Sequence, residues 1–211
     1  MPVTNIPAPP ADSPFAEEIR SFMEADKRDF PEPGGVVFIG SSSITRWSDA
    51  QRDFPFINLI RRGFGGSLLH QSTLYADRIA IPYQPRLIVV YAGDNDLAHG
   101  EETPEEVFAD FRAFVEKIHA ELPDTLIAFV SIKLSVSRWH LKDEIQRANT
   151  LIEEFCNATP NLHFIDVTHT LLDENGEPRP ELFADGLHPN RAGYKKWIEV
   201  LTPAIRQLLR L

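Results

Sequence analysis

The chain has 211 residues, a length that suits one sizeable domain. Its 21 Lys and Arg against 31 Asp and Glu give a formal charge of −10, the wrong sign for a surface that neutralises nucleic-acid phosphates. With 43% hydrophobic and 25% charged residues, disorder as the main state is excluded, and no apolar run approaches the ~20 residues of a membrane span.

In chain order, residues 1–14 hold five prolines and neither a basic start nor an apolar stretch. They read as a Pro-rich arm rather than a signal peptide, so a cytoplasmic protein is expected, with residues 15–211 as a single domain. A helix is expected over residues 15–30. The first short apolar run, Val36-Val37-Phe38-Ile39, ends in Gly40-Ser41-Ser42-Ser43. The second, Phe56-Ile57-Asn58-Leu59-Ile60, is followed by Gly63-Phe64-Gly65-Gly66-Ser67. Leu87 to Tyr91 runs into Ala92-Gly93-Asp94-Asn95-Asp96, and Leu126–Val130 and Leu162–Ile165 complete the set. Continuous apolar runs of this length suit strands buried on both faces.

Helical periods fill the gaps. Thr103-Pro104-Glu105-Glu106 is a capping box with Pro at the first helical position. Val107, Phe111, Phe114, Ile118 and Leu122 form the apolar face behind it, and Pro123 stops the helix. Leu141, Ile145, Ala148, Ile152 and Phe155 repeat the pattern, with Cys156 in the apolar register as a buried, inert thiol. A last helix opens after Asn190 with Tyr194, Trp197, Ile198 and Leu201, and Pro203 is expected to break or kink it. Strand–helix alternation over five units predicts a three-layer α/β/α domain with a five-stranded parallel sheet in flavodoxin-like order. In such sheets ligands bind beyond the carboxyl ends of the strands, where the polar clusters fall.

Two nucleotide readings fail on their residues. Gly35 and Gly40 have P-loop spacing, but the Lys is missing and the residues between them form a strand. Gly63-Phe64-Gly65 begins a dinucleotide fingerprint, but Leu68 and Arg86 stand where a Gly and an acidic residue are needed. Ester hydrolysis uses more of the loops. The turn after the first run supplies a hydroxyl, Asp185 and His188 supply a base and its orienter, Gly66 allows close backbone approach, and Asn95 offers an amide donor. Each has a plain alternative: a serine there caps a helix, Asn95 and Gly65-Gly66 make turns, and Asp185 and His188 decorate a surface loop. All four at the carboxyl side of one sheet favour a single site.

From Phe38 to the last helix the chain resembles the SGNH/GDSL-like hydrolases, serine esterases and lipases. The resemblance rests on Gly40-Ser41-Ser42-Ser43, on Asn58 through Ser67, on Gly93-Asp94-Asn95-Asp96 and on Asp185-Gly186-Leu187-His188-Pro189. It implies Ser42 as nucleophile, His188 as base, Asp185 as its orienter, and Ser42, Gly66 and Asn95 as oxyanion donors. Ser41 replaces the family's usual Asp, which leaves Ser41 and Ser43 as alternative registers for the nucleophile. Phe64, Lys133, Arg138 and Trp139 are candidates to line the substrate cleft. The histidines at 70, 99, 119, 140, 163 and 169 lack metal-ligand spacing, so no metal and no cofactor are expected. The expected function is hydrolysis of small-molecule, short-acyl esters through an acyl-enzyme, with no nucleic-acid partner and the oligomeric state open. A silent binding module, or a nucleotide-dependent enzyme on the same sheet, is the alternative.

Overall fold

A computed structural model of the chain describes residues 7–99 and 102–211. Strands β1 (Val36–Gly40) and β3 (Leu87–Tyr91) bury every residue, as their unbroken apolar sequences require at the centre of a parallel sheet. With β2 (Leu59–Gly63), β4 (Leu126–Val130) and β5 (Leu162–Ile165) they form one sheet in the order β2-β1-β3-β4-β5, all neighbours parallel. That is the flavodoxin-like order expected from the alternation.

The two-residue period of the strands divides the core. Val37, Ile39, Ile88, Val90, Ile127 and Phe129 face the layer made by α1 (Ala16–Arg28), α4 (Leu69–Ile79), α6 (Pro104–Glu121) and α7 (Lys142–Ala158). The intervening Val36, Phe38, Leu87, Val89 and Tyr91 face α2 (Ser42–Thr45), α3 (Ala50–Asp53) and α8 (Arg191–Leu209). A short helix α5 (Asp94–His99) follows β3 directly. The capping box of α6 forms as read: Thr103 Oγ1 accepts the Glu106 N–H, and the Glu106 carboxylate accepts the Thr103 N–H. No helix among the described residues is long and apolar enough to cross a membrane.

Two elements differ from expectation. The second strand lies three residues later than the apolar run Phe56–Ile60, taking in Arg61 and Arg62. Register with β1 fixes it, Val36 opposite Leu59 and Gly40 opposite Gly63, and an edge strand tolerates polar residues. Arg62 is nevertheless nearly buried: it pairs with Asp26, and its Nε donates to the Tyr83 hydroxyl at 2.8 Å. Second, α8 passes through Pro203 without a break. Proline removes one backbone hydrogen bond, but Leu201, Ile205 and Leu209 on either side of it are all buried in the same core cluster, which holds the helix on course.

Of the N-terminal arm, residues 1–6 lie outside the described residues. The rest runs along α4: Arg78 Nε donates to Pro7 O at 3.0 Å, and the Tyr75 hydroxyl donates to Pro14 O. Cys156 is buried, as expected, and desolvation pushes its thiol up to about 12.

Candidate active site

The loops that follow β1, β2 and β3 each deliver one part of the site. Gly40 ends β1 at φ +143°, and a Cβ there would stand 1.9 Å from the Tyr91 carbonyl oxygen, so only glycine lets the chain turn so tightly against β3. The turn leads straight into α2. Of the three consecutive serines, Ser41 and Ser43 are buried, and their hydroxyls find no partner. Ser42, the first residue of α2, is the one whose Oγ reaches out, 2.8 Å from His188 Nε2.

After β2 the chain doubles back through Gly65-Gly66. A Cβ on Gly65 would stand 3.9 Å from that of Ser42, which places this loop beside the serine. Gly66 adopts φ +85° with open space around it, so glycine is required by the backbone angle rather than by crowding. After β3, Gly93 at φ +108° turns the chain into α5, where Asn95 is buried. The Asn95 Nδ2 donates to the Ser67 carbonyl at 3.1 Å, and its Oδ1 accepts from Arg138 Nη2 at 2.8 Å. Ser67 adjoins Gly66, so the second and third loops meet at this amide.

The remaining parts come on one loop before α8, closed by an antiparallel bridge between Phe183 and Pro189. Asp185 Oδ1 accepts the backbone N–H groups of Leu187 (3.1 Å) and His188 (2.8 Å). Its Oδ2 lies 2.7 Å from His188 Nδ1 and also accepts from Arg46 Nη1 at 3.0 Å. A carboxylate only accepts, so Nδ1 carries the proton and Nε2 presents its lone pair to the Ser42 hydroxyl. Burial works to raise the Asp185 carboxyl, but the donors from His188 and Leu187 prevail and hold it well below the usual carboxylate range. For His188 the neighbouring carboxylate does not decide the balance. Burial lowers it most, the Asp185 bond opposes this, and the charges of Arg46 and Lys133 add to the lowering, so it stays below the ordinary imidazole value.

The residues expected to line the cleft do other work. Phe64 is wholly buried, edge-on to Phe15 and Tyr75. Arg138 and Lys133 are buried against Asp94, and Trp139 packs half-buried against the core with the Lys142 ammonium over its ring. Phe64 and Arg138 therefore offer a substrate no surface. Arg46, the residue that caps the C-terminus of α2, carries no signal in the sequence, although it lies four residues after Ser42. It also borders a pocket of about 280 Å³ beside His188, together with Trp47, Ala184, Pro189 and Tyr194. Among the described residues one group could hold a metal: His70 on α4 with Glu102 and Asp110, whose ligand atoms lie within 4.8 Å of one another. Chain spacing did not reveal it, because three separate segments bring it together.

Comparison with known proteins gives a family and a fold. The sequence model of one family, described as GDSL-like lipase/acylhydrolase, matches residues 38–196. A GDSL-like lipase from Bacteroides thetaiotaomicron superposes with a TM-score of 0.75 at 23% identity, covering 90% of this chain and 97% of that one. A family 3 carbohydrate esterase from Talaromyces cellulolyticus does so with a TM-score of 0.70 at 17% identity, covering 84% and 98%. A multidomain esterase from Ruminococcus flavefaciens is 26% identical over 127 residues, a match to 56% of this chain but only 16% of that protein.

Proposed function

The chain belongs to the GDSL-like lipase/acylhydrolase family and is a carboxylic ester hydrolase, and from that premise we propose that it works through Ser42 on short acyl groups. The observation that carries this reading is the unbroken line from Ser42 Oγ to His188 (2.8 Å) to Asp185 (2.7 Å) at the carboxyl end of the sheet. Ser42 Oγ attacks the ester carbonyl carbon while His188 Nε2 takes its proton. The Ser42 and Gly66 backbone N–H groups and the Asn95 amide receive the negative charge that develops on the carbonyl oxygen. Collapse breaks the bond to the alcohol, which leaves with the proton from His188. Water, deprotonated by the same imidazole, then attacks the acyl-serine and releases the acid. Asp185 holds the tautomer and stabilises the imidazolium without itself taking the proton.

The acyl preference rests on the absence, among the described residues, of a long apolar insertion over the site. A sugar ester is the substrate class proposed, in keeping with the carbohydrate esterase among the fold relatives. A fluorophosphonate probe is expected to label the protein once, on Ser42, and kcat/KM is expected to fall along p-nitrophenyl acetate, butyrate and octanoate. A label on Ser41 or Ser43, or active protein that takes no label, overturns the serine assignment. A rise toward octanoate overturns the short-acyl reading.

The state of His188 sets a pH profile. The base must be neutral to accept the serine proton, and its value lies below the ordinary imidazole value of about 6.5. Activity is lost as pH falls through that lowered value, so the acid limb of kcat/KM should have its midpoint below about 6.5. A midpoint above about 7 means that Asp185, rather than burial with Arg46 and Lys133, controls the imidazole.

A further inference from the structure

Behind Asn95 lies a buried charged cluster that the reaction scheme leaves unused. Asp94, Lys133 and Arg138 are each 5% exposed or less. Lys133 Nζ donates to Asp94 Oδ2 at 2.6 Å and to the Tyr91 hydroxyl at 2.9 Å. Arg138 Nη1 approaches the same Asp94 oxygen at 3.1 Å. Two cations thus face one carboxylate. Lys133 alone neutralises Asp94, and stability does not call for a second buried cation, because apolar side chains fill such space at least as well.

What the surplus guanidinium does is visible from its other nitrogen. Arg138 Nη2 donates to Asn95 Oδ1 at 2.8 Å and lies 3.0 Å from His99 Nε2. A carboxamide has two orientations related by a half-turn, and a buried Asn with symmetrical surroundings would populate both. Here the surroundings are opposite in kind. Arg138 can only donate, and the Ser67 carbonyl on the other side of the amide can only accept. Turning the amide over would set its N–H groups against the guanidinium and its oxygen against the carbonyl. The oxygen would also point where negative charge develops.

Resting on the assignment of Asn95 as an oxyanion donor, we propose that Arg138 is a positioning residue for ester hydrolysis, locking the Asn95 amide with its N–H face toward the oxyanion. One Nδ2 hydrogen is held by Ser67, which leaves the other to the reacting carbonyl oxygen. The guanidinium on Oδ1 also polarises the amide in the direction that makes its N–H groups better donors. The planar fork matters, since one nitrogen faces Asp94 and the other Asn95, and an ammonium cannot hold both in that geometry.

A double-mutant cycle tests this in the full chain. Arg138→Gln should lower kcat roughly 10- to 100-fold with KM changed less than about threefold, as expected when a reacting group is misplaced rather than substrate binding lost. In an Asn95→Ala background the same change should remove less than about a further twofold, because its effect passes through the amide. Arg138→Lys should fall between Gln and the unaltered protein. If the Gln variant does not fold, Arg138→Lys, which keeps a cation against Asp94, takes its place in the cycle. Equal losses with and without Asn95, or a folded Arg138 variant with unchanged kcat, overturn the inference while the serine mechanism stands. An unaltered protein that hydrolyses no ester overturns the reading of the site, and this inference with it.

Discussion

Ser42→Ala is expected to abolish turnover while leaving the protein folded. The hydroxyl makes its hydrogen bond to His188 and is not part of a core cluster, so its loss removes little packing. Alanine is also well suited to a helical position. Where nucleophile and base act as a unit, removing either one costs on the order of 10⁶ in kcat, and removing both costs no more. His188→Ala should therefore match Ser42→Ala, and the double variant should be no worse than either. Steady-state hydrolysis of p-nitrophenyl acetate, with circular dichroism to verify folding, measures both. Turnover above about 1% of the original in folded Ser42→Ala, far more than a missing nucleophile leaves, would mean that the hydroxyl of a neighbouring serine or an activated water does the chemistry.

Asn95→Ala should lower kcat by about 10² to 10³ with a much smaller change in KM, because an oxyanion donor strengthens its bond in the transition state. Asn95→Asp should do at least as much damage. One carboxylate oxygen can still accept from Arg138, but the other then faces the Ser67 carbonyl and the developing oxyanion, where an N–H stood before. A residue that merely shapes the turn behaves differently: Asp and Asn serve such turns almost equally. Near-normal kcat in folded Asn95→Asp removes Asn95 from the reaction.

Much of this molecule is legible in its sequence because its signals are local. The runs at Leu87–Tyr91, Leu126–Val130 and Leu162–Ile165 are strands over the residues read, and the Thr103–Glu106 box starts its helix where expected. Three of the four loop blocks follow parallel strands, which all end on the same side, and the loop before α8 carries the fourth to them. What the sequence hides is set by partners distant in the chain. The register of β2 depends on β1 rather than on its own apolar content. The survival of α8 at Pro203 depends on the core beneath it. Arg46 carries no signal until the fold turns it onto Asp185, and Lys133 and Arg138, which read as cleft-lining, are buried against Asp94 instead. The direction in which His188 moves also follows from burial and from two cations contributed by other segments, against the single neighbour that the sequence displays.

The hydrogen bond between Ser42 and His188 joins positions 146 residues apart. A nascent chain leaves the ribosome N-terminus first, so Ser42, Gly66 and Asn95 emerge well before the imidazole is made. Until α8 arrives, the serine has no histidine beside it. The docking of that helix is itself well marked: the Tyr194 ring stacks on Trp47 with centroids 4.7 Å apart, and its hydroxyl donates to the Ser43 carbonyl at 2.8 Å, next to the serine. His188 lies three residues before α8, so the docking of that helix against Trp47 and the Ser43 carbonyl is also what brings the imidazole to Ser42.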